Sequence, residues 1–148
     1  MPRYLIGVTF APGDDPAPMD LWSAAEVDAH LAYYDALNDE LRASGELVSL
    51  TVLTLPGRAR VVRSDGHATD VSDGPFAEVH EWLAGFHVVD VADEARALEI
   101  AARVSAVPGR GGVATRQPVH VRPFPTTAPA TAEEMDLWLA DGGGTGGA

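Results

Sequence analysis

The segment from Gly85 to Val91, G-F-H-V-V-D-V, restricts this chain more than any other stretch. Side chains along a strand alternate between faces, so Phe86 and Val88 point one way and Val89 and Val91 the other. A strand that is apolar on both sides needs cover on both sides, which places it in the middle of a sheet. Just upstream, Asp73-Gly74-Pro75 has the chemistry of a tight turn. Glycine tolerates positive φ there, and proline fixes its own φ and pushes the preceding residue out of the helical region. A polar segment carrying Glu78, His80 and Glu81 joins the turn to the strand.

The rest of the chain supplies elements for that strand to pair and pack with. Tyr4, Ile6, Val8 and Phe10 alternate with Leu5, Gly7 and Thr9 as a first strand, which stops at the Pro-rich loop of residues 11–18. Asp20 is the expected N-cap of a helix from about Leu21 to Ser44, with Gly45 as its C′ residue. At about 100° per residue, Val27, Leu31, Tyr34 and Leu41 share a stripe on that helix, and His30 falls within it beside Tyr34 and Leu37. Leu47 to Leu55 reads as a second strand. Arg58 to Ser72 reads as a hairpin about Ser64-Asp65-Gly66, its arginines defending an edge ribbon by charge. After the central strand, Asp93-Glu94 opens a second helix with the stripe Ala97, Ile100, Ala101 and Val104. Pro108 to Gly112 is Gly-rich but follows a helix and lacks the ending of a phosphate loop. Pro118 to Phe124 is the last strand.

This order, β-α-β, hairpin, β-α-β, predicts an α+β fold of the ferredoxin-like split βαβ type with an inserted β-hairpin. Thr131 and Glu134 have capping-box spacing and open a short helix of about residues 131–141 that carries Met135, Leu137, Trp138 and Leu139. That apolar surface needs a dock on this domain or a partner. The expected organisation is one domain over residues 1–125 and an extension over 126–148, ending in a disordered Gly-rich tail.

Composition removes several classes of function. A chain of 148 residues that is 46% hydrophobic can bury one core without disulfides or a structural metal. It has no cysteine, which excludes a thiolate nucleophile and a Cys-ligated metal. With 22 acidic against 10 basic residues the formal charge is −12, which repels phosphate backbones, so no nucleic-acid partner is expected. No stretch reads as a signal peptide or membrane span, and the expectation is a cytoplasmic protein with no membrane partner. Dinucleotide, EF-hand and G-x-S-x-G motifs are missing, so no cofactor is expected. His30, His80 and His87 show no H-x-H, H-x₃-H or H-E-x-x-H spacing, which argues against a metal site.

The run D-G-P-F-A-E, then E-W-L-A-G-F, then an aliphatic strand ending in Asp90 and an Ala-rich helix resembles the YCII-related family in its D-G-P-F-containing branch. The V-H-V-R-P-F ending near Phe124 also resembles it, so the likeness covers residues 1 to about 124. The resemblance implies a small ferredoxin-like domain that pairs through its sheet face into a homodimeric α/β barrel. His30-Leu31-Ala32-Tyr33 resembles the H-L-x-Y of the wider family, in which the histidine is proposed as part of an active site. In the branch of the bacterial namesake, an Asp at the end of the first strand is suspected of orienting that histidine; here Thr9-Phe10 stand there.

The candidate catalytic set is therefore His30 with Asp73, Glu78 or Glu81 as the orienting acid, and Tyr34, Trp82, Phe86 and His87 are the candidate ligand contacts. Neutral imidazole passes protons in either direction near pH 7, as a cofactor-free isomerase or lyase acting on a small aromatic or acidic molecule requires. The same residues also fit a packed core histidine, a self-bonded turn, solvated glutamates and ordinary core aromatics. Relatives of the D-G-P-F branch are often encoded beside extracytoplasmic-function sigma factors, which implies an alternative: a non-catalytic accessory module contacting a partner through the C-terminal helix.

Overall fold

The computed structural model describes residues 1–10, 19–73 and 81–144. Its elements are β1 (Arg3–Phe10), α1 (Ala24–Ala43), β2 (Leu47–Val52), β3 (Arg60–Ser64), β4 (Thr69–Asp73), β5 (Trp82–Asp90), α2 (Glu94–Ser105), β6 (Val119–Pro123) and α3 (Ala132–Ala140). The fold is mixed α+β. Four strands form one sheet in the order β2-β5-β1-β6, and every neighbouring pair is antiparallel. The apolar strand is internal, as its two-sided pattern requires. Because β1 and β2 both oppose β5 between them, they run parallel to each other and are connected through α1; β5 and β6 flank β1 in the same way and are connected through α2.

The two faces of β5 differ. His87, Val89 and the following Val91 are buried with Tyr4 and Ile6 of β1, Leu37 and Leu41 of α1, and Ala97, Ile100, Ala101 and Val104 of α2. All but His87 belong to one apolar cluster. Burying each large aliphatic side chain stabilises by about 1.5–3 kcal/mol, so this layer anchors both helices on one side of the sheet. On the other face Leu5, Phe86 and Val88 are only half-buried, and Leu83 is exposed. Gly85 permits the β2–β5 approach, since a Cβ there would stand 2.7 Å from the Thr51 carbonyl oxygen.

Helix α1 begins three residues later than expected, at Ala24: its N-cap is Ser23, and Asp20 lies in a short 3₁₀ turn over Met19–Leu21. Ser23 and Glu26 complete a reciprocal capping box, which satisfies two backbone donors where Asp20 alone would satisfy one. Leu31 also departs from the expected stripe and is 52% exposed. One residue past His30 turns the helix by about 100°, which carries Leu31 away from the sheet. Gly45 ends the helix with φ 77°, as a C′ glycine should.

Two elements stand apart from the four-stranded sheet. Strands β3 and β4 pair only with each other, Val62 opposite Val71, about a turn in which Asp65 Oδ1 accepts from the amides of His67 and Ala68 at 2.9 and 2.8 Å. Helix α3 is capped by Thr131, but the Glu134 carboxylate accepts from Ala130 N at 2.7 Å instead of closing the expected capping box on Thr131. Leu137 and Leu139 of α3 are exposed. Among the described residues, no helix is long and apolar enough to cross a membrane.

Candidate functional site

His30 sits half-buried on the inner side of α1, where the start of the helix meets the loop after α2. Its Nδ1 lies 2.8 Å from the carbonyl oxygen of Pro108. A carbonyl only accepts, so Nδ1 carries the proton and the neutral ring keeps its lone pair on Nε2. Nε2 has no hydrogen-bond partner among the described residues. A neutral imidazole held through one nitrogen by a backbone carbonyl has the chemistry to exchange a proton at the other.

Aromatic rings extend from His30 into the core. Trp22 stands edge-on to it at 5.4 Å between centroids, and Tyr34 edge-on from the other direction at 5.3 Å. Beyond Tyr34, the ring of His87 is stacked at 6.4 Å and 20°. The i, i+4 spacing of His30 and Tyr34 puts them on one helix face, and β5 brings His87 beneath it. Burial pushes the Tyr34 phenol up to about 12, so it stays protonated at any physiological pH. His87 is 5% exposed, and desolvation pushes its pKa down, which keeps it neutral. Its Nε2–H donates to Asn38 Oδ1 at 2.8 Å, while its buried Nδ1 has no partner.

The other candidate residues are dispersed. Phe86 projects from the opposite face of β5 to His87 and does not meet Tyr34. Trp82 stacks on Phe10 at 4.6 Å and lines a cleft of about 240 Å³ with Leu53, Thr54, Pro56, Ala59 and Leu83. Asp73 ends β4, exposed, 3.3 Å from Arg60. Glu81 is exposed at the entrance to β5. Glu78 and His80, with the Gly74-Pro75 turn, lie outside the described residues. Among the described residues, no three His, Asp or Glu side chains converge as a metal site would need.

Sequence reasoning passed over two participants. Asn38 follows Leu37 on the inner face of α1 and is one of two buried polar residues among those described, which a lone Asn in a helix does not announce. The Pro108 carbonyl belongs to backbone, for which no side-chain pattern speaks. Around the site α1 is bound to α2: the Tyr33 hydroxyl donates to the Arg103 carbonyl at 2.7 Å, and the Arg103 guanidinium grips Glu40 with two bonds of 2.7 Å. That pairing pulls the Glu40 carboxyl below its ordinary range.

An antiparallel sheet backed by two helices, with a carbonyl-oriented histidine where one helix meets a loop, describes a small α+β protein built around a single packed layer. Residues 4–123 match the YCII-related domain, and the chain belongs to that family. It is also 31% identical over 104 residues to an uncharacterised protein of Rhizobium meliloti (strain 1021), an overlap that takes in 70% of this chain and 84% of that protein.

Proposed function

We propose that this protein binds a small molecule and transfers protons to or from it without a cofactor, in the manner of an isomerase or lyase, with His30 Nε2 as the acid/base. One observation carries the reading: the bond from Nδ1–H to the Pro108 carbonyl, which leaves Nε2 without a partner among the described residues on a half-buried ring. That bond survives both protonation states of Nε2, so the ring can cycle without losing its orientation. The neutral Tyr34 phenol and the neutral His87 support a site in which His30 is the group that changes charge.

The proposal extends to the assembly. The strand order β2-β5-β1-β6 and the two parallel β-α-β connections support a ferredoxin-like domain over residues 1–125, and the D-G-P-F run at residues 73–76 supports its placement in that branch. The half-buried Leu5, Phe86 and Val88, beside exposed Leu83, support its pairing with a second copy, as a dimeric barrel, through the sheet face opposite α1 and α2. A second reading, an accessory module without catalysis, draws on α3, whose Leu137 and Leu139 are 64% and 60% exposed. Under that reading, deleting residues 126–148 removes partner binding and His30 contributes only packing.

The test is a side-chain NMR titration of the five histidines with and without a panel of small aromatic acids and neutral aromatic alcohols, a His30→Gln variant assigning the signal. The expected result is a His30 signal that moves with one of these compounds, and a loss of roughly tenfold or more in its affinity in the variant, about 1.4 kcal/mol. A His30 signal indifferent to every compound would overturn the reading and direct attention to partners of α3.

A further inference from the structure

We infer that Glu26 is a positioning residue for His30, acting at a distance through the loop of residues 108–112. The inference rests on His30 being the acid/base, and it adds how that group is held and what would release it. Three observations on different atoms carry it.

The first is the double use of one carboxylate. Glu26 Oε2 accepts from Ser23 N at 2.8 Å, which closes the capping box, and Oε1 accepts from Gly111 N at 2.9 Å, 85 residues away in sequence. A capping-box glutamate needs only the first bond. The second fastens the loop to the helix start. Second, the same loop contributes the Pro108 carbonyl that receives His30 Nδ1–H, so His30 and Glu26, one turn apart on α1, grasp two points of one short segment.

The third observation is the stiffness of that segment. Gly109 N donates to Val113 O at 2.7 Å and Gly112 N to Gly109 O at 3.0 Å, Pro108 is bridged to Ala114, and Gly111 holds φ 69°. Gly109 lies against the Trp22 ring: a Cβ there would stand 3.4 Å from it and 2.8 Å from Thr115 Cγ2. A loop this constrained transmits a displacement at Gly111 to the Pro108 carbonyl instead of absorbing it. The Pro108 bond in turn decides which ring nitrogen of His30 carries the proton in the neutral form. Without it the ring is free to place its proton on Nε2, where a base needs its lone pair.

The experiment reads the tautomer directly, from the ring ¹⁵N shifts of neutral His30 at alkaline pH, in the full chain without ligand. In the native protein the Nδ1–H form should dominate. Glu26→Ala removes both bonds, and the ratio of Nδ1–H to Nε2–H should fall about fivefold, the change that loss of one ordinary hydrogen bond produces. Glu26→Gln retains an acceptor oxygen and should fall between the two. Should Glu26→Ala not fold, Glu26→Gln and Gly109→Ala, which pushes the loop off Trp22 and Thr115 without touching either partner, carry the same test. A folded variant with a lowered melting temperature and an unchanged tautomer ratio would overturn the inference, since a purely structural cap predicts that pair of results. The two readings fail separately. A shifted ratio in a protein that binds no compound leaves the positioning role standing and removes the catalytic one, and ligand binding through His30 with an unmoved ratio does the reverse.

Discussion

The two histidines that meet Tyr34 on either side have opposite surroundings. His30 is half-buried, bonded through Nδ1 to a loop carbonyl, and without a partner at Nε2 among the described residues. His87 is sealed between sheet and helix, bonded through Nε2 to Asn38, and carries its orphaned nitrogen inside the core. Both are imidazoles with one partner each, and what separates them is where the unused nitrogen points. A nitrogen on a half-buried ring has a route to solvent protons, whereas a sealed one only adds cost when it is charged. A histidine in an apolar stripe is therefore read through its second nitrogen, not its burial alone.

The sharpest way to break this contrast is to remove the partner of the sealed ring. In Asn38→Leu the volume is roughly retained, but His87 Nε2–H loses its acceptor while the ring stays buried. Leaving a buried donor unsatisfied costs about 1–3 kcal/mol, so chemical denaturation should show a loss of about 2 kcal/mol. The melting temperature of a chain this size should fall by several degrees, roughly 4–8 °C. His30, two turns away on α1, should keep its bond to the Pro108 carbonyl. A loss below about 0.5 kcal/mol would mean that water or a ring flip satisfies His87, and that it is not sealed at all.

Acid separates the two rings further. Burial pushes the His87 pKa below its ordinary value near 6.5. The unfolded chain therefore binds the proton first as pH falls, and since stability rises with pH wherever the unfolded state holds more protons, His87 contributes a loss of stability that begins near pH 6.5 and grows until the folded-state pKa is passed. Denaturant midpoints measured between pH 7.5 and 5 should slope downward, and replacing His87 by Gln should flatten that slope even as it lowers the whole curve. Glu26 adds to the fall lower down. The amides of Gly111 and Ser23 hold its carboxyl below the usual range, so its contribution is present above the unfolded carboxylate pKa and is lost as pH drops through the folded one. An unchanged slope in His87→Gln would assign the acid sensitivity to the carboxylates instead.

Much of this contrast could be read before the fold was known, and the part that could not has a physical cause. The central strand, the α2 stripe and the hairpin about Asp65-Gly66 follow from local patterning and emerge much as expected. His30 and Tyr34 share a face because of the helical period alone. The start of α1 was equally legible, since Ser23-Ala24-Ala25-Glu26 has capping-box spacing, but Asp20 offered a competing cap and both satisfy a short-range rule. What no local pattern reveals is the partner from a distant segment. The Pro108 carbonyl is 78 residues from His30, and Asn38 is 49 from His87. For the same reason, Tyr34 and His87 came together while Phe86 did not: the one-residue step from Phe86 to His87 changes the face of β5, and which face α1 covers is decided by tertiary packing.

Tyr34 touches both rings, and its hydroxyl can be removed at little cost to stability. Tyr34→Phe keeps the ring, and with it the edge contact to His30 at 5.3 Å and the stack on His87 at 6.4 Å. The core should therefore lose little, about 0.5 kcal/mol or less at pH 7. Above pH 10 the variant should gain on the native protein, because burial raises the phenol pKa to about 12 and the unfolded chain sheds that proton first, a cost that phenylalanine does not carry. The informative quantity is ligand affinity by calorimetry. If the hydroxyl donates to a ligand whose other end meets His30 Nε2, affinity should fall several-fold, about 1 kcal/mol, while the melting temperature stays within a degree or two. If both stay level, Tyr34 is a spacer between an open histidine and a sealed one, and any site at His30 faces away from the core.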